Sequence, residues 1–325
     1  MSCTLSQLSV ASQDTLKPSL QISWLRNNTS REAHGLRIQN LKSQVEERLE
    51  ALLEDGGYAP PNLLAAMRHA LLSGGKRFRP LLFILTVPQG DDRKAALDIG
   101  CALEMVHTAS LILDDLPCMD DADLRRDKPA THKVFGQATA ILAAISLLTR
   151  GMNILAALEG VPGDRRARLV SVLSQAVGHT GLAAGQEVDL TEAPGISMNV
   201  EEKNWLKTGR FFSAMAEMAS ILSDRGEEET AGLSDLAFHI GSAFQALDDL
   251  LDATAAPEDI GKDVGKDIGK STMINDRGEA ATRLTYLSHL NSANEALARC
   301  GIEEEPICLM LQSIHQMAFR NDVPV

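Results

Sequence analysis

The sequence predicts an all-α protein, organised as a single-domain helical bundle. Apolar residues recur at three- and four-residue spacing through most of the chain, as in LRIQNLKSQVEERLEALLED from Leu36 onward. Aromatic residues are only 4%, Ala and Leu abound, and alternating Val/Ile/Thr/Tyr runs are missing, a balance that favours helices over sheets. A hydrophobic content of 44% against 23% charged is enough to bury a core. No joint is long or biased enough to be an interdomain linker, so the 325-residue chain reads as one helical domain.

Residues 1 to 35 stand apart, rich in Ser and Thr, nearly free of acid and without a hydrophobic period. They are expected to be a poorly ordered extension to a domain of residues 36 to 325; a targeting peptide shares that composition. The first helix begins at Leu36. A second, NLLAAMRHALL, follows Pro60 and Pro61 and is closed by Gly74 and Gly75. Further helices are legible at roughly 92 to 116, 130 to 158, 164 to 188, 200 to 223, 228 to 253, 279 to 299 and 304 to 319, parted by joints such as GVPGD and SDRGEEE. One stretch, DIGKDVGKDIGKST at 259 to 272, breaks the pattern. Its repeated glycines would each cost a helix roughly 1 kcal/mol, which predicts a loop. It misses the nucleotide-binding GxxxxGK[ST] pattern by one residue, because Val264 stands where the first glycine belongs.

A net charge of −13 argues against wrapping nucleic acid, which needs clustered Lys and Arg, so any anion must be bound locally. The five cysteines show no CxxC spacing, and their odd number suits reduced thiols in a cytoplasmic compartment. The longest apolar stretch, around AILAAISLL, stops at Thr149 and Arg150, short of the ~18 apolar residues of a spanning helix. A chain that does not span a membrane is expected.

Two acidic clusters carry the chemistry. Residues 111 to 127 read LILDDLPCMDDADLRRD, and residues 244 to 252 read FQALDDLLD. Asp248 and Asp252 are four apart, so on a helix they are neighbours with Cβ atoms about 6 Å apart, and two carboxylates held that way repel unless a cation or proton lies between them. Asp114 and Asp120 are six apart, a spacing that a regular helix would splay. Pro117 removes a backbone donor and disfavours helix at Leu116, which lets the chain loosen and return both carboxylates to one place. A solvated helix end is the plain alternative for one such cluster. Two of them, both next to apolar segments and basic residues, suit Mg²⁺, whose hard-oxygen coordination leaves room for substrate phosphate. Arg125 and Arg126 follow the first cluster, Lys207 sits in WLKTGR, and Lys262, Lys266 and Lys270 lie in the glycine loop. A separate basic set, SGGKRFRP, holds Lys76, Arg77 and Arg79 and points to a second anion site.

These pieces occur in the order GGKRFRP, EMVHTASLILDDLPCMDDADLRRDKPATH, GQEVD, KTG, FQALDDLLD and GKDVGKDIGKST, and from about Leu36 to the C-terminus the chain resembles the trans-isoprenyl diphosphate synthases. The resemblance implies an isoprenoid-synthase helical bundle around a central active-site cavity, acting as a homodimer. It also implies Mg²⁺-dependent head-to-tail condensation of isopentenyl diphosphate with an allylic diphosphate (dimethylallyl, geranyl or farnesyl). Position by position, Asp114, Asp115, Asp120, Asp248 and Asp252 would hold Mg²⁺; Arg125, Lys207, Thr208, Gln245, Lys262 and Lys266 would bind the allylic diphosphate; and Lys76, Arg79, His107 and Arg126 would bind that of isopentenyl diphosphate. Gln186 and Asp189 would stand behind the metal and the arginines. Small residues at Ala109 and Ser110, just before Asp114, imply a twenty-carbon geranylgeranyl product, with the fifteen-carbon farnesyl product as the alternative. Three departures are Asp127 where most relatives carry Gly, Ala143 and Ala144 in place of Gly-Asp, and Asp263 among the loop lysines. The Ala-Ala version resembles bacterial synthases of carotenoid biosynthesis. A terpene cyclase would not need SGGKRFRP or His107, and a non-catalytic synthase subunit would be expected to have lost aspartates.

Overall fold

The computed structural model describes residues 31–54, 59–90, 92–191, 198–254 and 272–319. The chain runs α1 (Arg31–Glu54), α2 (Pro61–Leu71), α3 (Phe78–Thr86) and α4 (Arg93–Asp114), then a hairpin of β1 (Leu124–Arg125) and β2 (Lys128–Pro129). There follow α5 (Thr131–Phe135), α6 (Gln137–Ala156), α7 (Gly163–Val177), α8 (Leu182–Thr191) and α9 (Val200–Asn204). A π-helical turn (Trp205–Gly209) leads into α10 (Arg210–Ser223), α11 (Glu227–Thr254), α12 (Met273–Arg277), α13 (Glu279–Leu297) and α14 (Glu304–Ala318). Among the described residues the fold is all-α apart from that hairpin.

Several boundaries differ from the periodicity for identifiable reasons. Helix α1 starts at Arg31, inside the stretch assigned to the extension, where His34 and Arg37 reach Glu303 and Glu305 at the start of α14; residues 1 to 30 lie outside the described residues. The segment 130 to 158 divides at Gly136, whose φ of +80° ends α5 and starts α6. The segment 164 to 188 divides between Val177 and Leu182. Helix α3 has no sequence signature because eight of its nine residues are buried, and a helix buried on nearly all sides has no polar stripe to mark a period. Helix α2 closes at Leu71, before the two glycines that were expected to end it.

Helices α4 and α11 are the two axes of the bundle: α4 packs along α6 and α3, while α11 packs along α13 and α10. Against the estimate from the apolar run, α4 and α6 are both long and apolar enough to cross a membrane by length and composition. Both are packed in the bundle, α4 with fourteen buried residues and α6 through Ala140, Ala143, Ala144, Leu147 and Gly151. Small residues let α4 and α6 approach closely. A Cβ at Gly151 would stand 2.8 Å from Val106 Cγ2 and 3.0 Å from the carbonyl oxygen of Ala102. Gly151→Val is therefore expected to lower unfolding free energy by about 1–3 kcal/mol through overpacking, measured by denaturant titration.

Candidate active site

The end of α4 builds the first cluster. Asp115 caps the helix, Pro117 follows, and the chain folds back so that the Asp120 amide donates to the Asp114 carbonyl at 2.9 Å and the Ala122 amide to that of Asp115 at 3.2 Å. The loosening expected at Pro117 thus takes the form of a tight loop that returns Asp120 to Asp114. Burial pushes the Asp114 carboxyl up to about 6, Asp120 and Asp115 push it the same way, and Lys207 and Arg125 act against them. Asp115 turns elsewhere. Its buried carboxylate accepts from Nε of Arg125 at 2.9 Å and from the Nη2 of the same guanidinium.

Asp248, on α11, acts electrostatically on both Arg79 and Arg125, so the second cluster lies near the end of the first. Asp252 lies one turn further on α11 and is half-buried. The intervening Asp249 is structural: it is buried, accepts from Gln245 Nε2 at 2.9 Å and from the Met273 amide at 2.8 Å, and so ties α11 to α12. Gln245 in turn accepts from Thr208 Oγ1 at 2.9 Å, which brings two of the proposed allylic-site residues together. Among the described residues no group of three or more metal-ligating side chains is already assembled. The donor set nonetheless fits Mg²⁺, since a buried aspartate with a raised proton affinity beside a second carboxylate is the arrangement a hard dication relieves.

Lys207 is fixed by Asp189, whose carboxylate also holds Lys203. Asp189 accepts from Lys203 Nζ at 2.8 Å and Lys207 Nζ at 2.6 Å. Burial opposes its ionisation, yet the two ammonium groups hold its carboxyl well below the usual range. Helix α8 lies directly on the π-helical turn, where a Cβ at Gly185 would stand 2.5 Å from the Lys207 amide nitrogen. Gln186 keeps a buried Oε1 without a protein partner.

Of the residues expected to bind the second diphosphate, Arg79 and His107 stand together. Arg79 Nη1 lies 3.3 Å from His107 Nε2 and its guanidinium lies 5.1 Å above the Phe212 ring. Burial lowers Arg79 to about 10, with Glu104 and Asp248 opposing and Arg126 adding to it, and burial with the nearby arginines holds His107 well below its usual value, so His107 is neutral and can accept from Arg79. The buried Nε of Arg79 has no protein partner, a donor that an anionic oxygen would satisfy. Lys76 is partly desolvated, which lowers it. Arg126 donates to the Gly74 carbonyl at 3.2 Å and to Glu104 at 3.0 Å. Arg77, which the sequence grouped with Lys76 and Arg79, is corrected to a structural residue: it is buried and bonded to Glu46, Glu104 and the Leu71 carbonyl.

Ser110 lies about 40° around α4 from Asp114, and Ala109 about 140° from it toward the packed α6 side, at 100° per residue. Ala109 is buried, and the Ser110 hydroxyl donates to the His107 carbonyl at 2.9 Å. Lys262 and Lys266, with Lys270 and Asp263, lie outside the described residues. Glu104, Lys203 and Asp249 escaped the sequence reading. A lone carboxylate inside the apolar run IGCALEMV was the available signal for Glu104.

The hairpin explains Asp127. Arg126 and Asp127 form its two-residue turn with φ of +55° and +61°, the left-handed pair of a type I′ turn, in which glycine is favoured at the second position. This backbone aims Arg126 at Glu104. Asp127→Gly should relieve about 1–2 kcal/mol of left-handed strain against about 0.4–1 kcal/mol of added chain entropy, so a rise in unfolding free energy of about 0.5–1 kcal/mol is expected by denaturant titration. Glu104→Gln leaves buried guanidiniums without their shared anion and is expected to cost about 3–5 kcal/mol, seen as a large drop in Tm.

Comparison with known proteins agrees with this geometry. A family model described as polyprenyl synthetase matches residues 60–274. A geranylgeranyl diphosphate synthase of Pseudescherichia vulneris is 42% identical over 80% of this chain and 85% of its own length. A farnesyl diphosphate synthase of Geobacillus stearothermophilus is 41% identical over 69% of this chain and 75% of its own. The crystal structure of a geranyltransferase from Legionella pneumophila superposes with a TM-score of 0.77 at 30% identity, covering 91% of this chain and 100% of that one. One from Helicobacter pylori, complexed with magnesium and isoprenyl diphosphate, gives 0.73 at 28% identity, covering 87% and 98%. With a family model over most of the chain and relatives above 40% identity, the fold and the ordered motifs have one reading: the chain belongs to the polyprenyl synthetase family.

Proposed function

We propose that this prenyltransferase condenses isopentenyl diphosphate head-to-tail with an allylic diphosphate and that its main product is geranylgeranyl diphosphate. The observation that supports the reading is that carboxylates suited to a metal ion and a buried, partly unsatisfied arginine stand near one another. Asp114 and Asp120 act on each other and Asp248 acts on Arg125 and Arg79, while Arg79 keeps an orphaned Nε beside His107. Asp114, Asp120, Asp248 and Asp252 would hold Mg²⁺, which when bound neutralises charge on the departing diphosphate. Lys207, kept charged and oriented by Asp189, would bind that diphosphate with Arg125, Thr208 and Gln245. Arg79, Arg126, Lys76 and neutral His107 would bind the second diphosphate, which brings the two substrates into one orientation. The apolar walls of the bundle would exclude water from the allylic cation.

Incubation of purified protein with labelled isopentenyl diphosphate, Mg²⁺ and each allylic partner tests the reading; no elongation with any partner would remove it. Farnesyl diphosphate is the second reading, because relatives of both product types match at similar identity. Homodimerisation is also proposed: Ile141, Leu142 and Ile145 expose an apolar stripe on α6 beside Val134, and light scattering should show twice the chain mass. Ala143 and Ala144 support a role in carotenoid biosynthesis, and the unpaired described cysteines support a cytoplasmic setting.

Asp114→Asn or Asp248→Asn is expected to reduce turnover by two orders of magnitude or more while the fold persists, since one electrostatic group acting on developing charge is worth ~3 kcal/mol or more. Near-normal rates at saturating Mg²⁺ would refute the metal assignment. Ser110→Tyr, on the Asp114 face of α4, should shorten the main product toward farnesyl diphosphate without abolishing the first condensation, read by chromatography of dephosphorylated products.

A further inference from the structure

Asp189 receives two ammonium groups where one would balance its charge. Lys203 and Lys207 are four residues apart, a spacing that sets both on one side of the rod formed by α9 and the π-helical turn. Lys203 Nζ lies 2.8 Å from Asp189 Oδ1 and Lys207 Nζ 2.6 Å from Asp189 Oδ2, so each lysine holds its own oxygen. The two differ in depth. Side-chain exposure is 8% for Lys203 and 5% for Asp189 but 28% for Lys207. The inner lysine is also held at its backbone. A capping box starts α9, in which the Asn199 side chain accepts from the Glu202 amide at 2.8 Å and the Glu202 carboxylate accepts from the Asn199 amide at 3.1 Å. The Lys203 amide then donates to the Asn199 carbonyl at 3.1 Å.

We propose that Lys203 is a positioning residue for diphosphate binding: it balances the charge of Asp189 from the buried side, so that the charge of Lys207 is left for the substrate. The inference rests on the reading above, in which Lys207 binds the allylic diphosphate. Asp189 paired with Lys207 alone would form a neutral pair, and an approaching anion would meet the repulsion of the carboxylate along with the attraction of the ammonium group. With Lys203 present, these three groups carry two positive charges against one negative, and the surplus sits on the more exposed lysine. Burial opposes charge on Lys207, but Asp189, Asp114 and Asp120 hold its proton affinity above the usual value, so Lys207 stays charged without help from Lys203. What Lys203 changes is how much of that charge is cancelled. Buried charges are screened weakly by salt, and at an effective dielectric constant of about 20 a unit charge about 10 Å from an anion is worth on the order of tenfold in affinity.

Calorimetric titration of inorganic diphosphate into the full chain in excess Mg²⁺, which directs it to the aspartate clusters, tests the proposal without requiring turnover. Lys203→Gln keeps a hydrogen-bond donor for Asp189 and removes the charge; Lys203→Met removes the same charge with a side chain of similar length; Lys203→Arg keeps the charge. Affinity is expected to fall about tenfold in the first two and to stay within about twofold in Lys203→Arg. In steady-state assays of Lys203→Gln the Michaelis constant for the allylic partner should rise while that for isopentenyl diphosphate does not move. Unchanged affinity in Lys203→Gln or Lys203→Met, an equal loss in Lys203→Arg, or an equal rise in both Michaelis constants would overturn the proposal. Lys207→Gln is the reference. A loss of affinity there with none in Lys203→Gln overturns this inference and leaves Lys207 as a diphosphate ligand, whereas no loss in Lys207→Gln removes both.

Discussion

One oxygen of Glu104, buried in the middle of α4, accepts from both Arg77 and Arg126. Around that atom five parts of the chain meet. Arg77 also binds Glu46 of α1 and the last carbonyl of α2 while starting α3, and Arg126 also binds the Gly74 carbonyl from the tip of the hairpin. A carboxylate so deep would be costly alone, and two guanidiniums would be costly without it. The three are tolerated because they satisfy one another. That mutual dependence fixes where the hairpin lies over α4, and hence where Arg125 meets Asp115.

The cleft sorts its cations by type. Lysines gather at Asp189, whose two oxygens each receive one ammonium group, while arginines gather at Asp115 and Glu104, where planar donors can bond more than one acceptor. Arg79 is different. It has no carboxylate bonded to it, only neutral His107 and the face of Phe212, so its charge is left for an incoming anion. Fixed donors of this kind are organised before substrate arrives, and reorganisation is not needed when charge moves.

The sequence made helix class, motif order and the two acidic clusters legible because these depend on local periodicity and spacing. Helix α3 was invisible because its burial leaves no contrast between faces, and the break at Gly136 was invisible because one glycine within an apolar run does not announce its φ. Arg77 shows the larger limit. Next to Lys76 and Arg79 in SGGKRFRP it looks like a third anion ligand, and only its partners, 27 and 31 residues away, show that its charge is already used. The roles of Asp115 and Asp249 could not be separated from those of Asp114 and Asp248 for the same reason.

The π-helical turn at Trp205–Gly209 has a bearing on how such a site can change. A π turn holds one more residue than the α turn it replaces, so it offsets the side chains beyond it by about 100° relative to those before. Lys203, facing Asp189 from α9, and the buried Phe211, Phe212 and Met215 of α10 are therefore set in two independent registers along one continuous helical rod. Substitutions that retune the contacts of Lys207 with Asp189 and of Thr208 with Gln245 are set apart from the packing of α10. Chemistry and core can then diverge separately on the same stretch of chain.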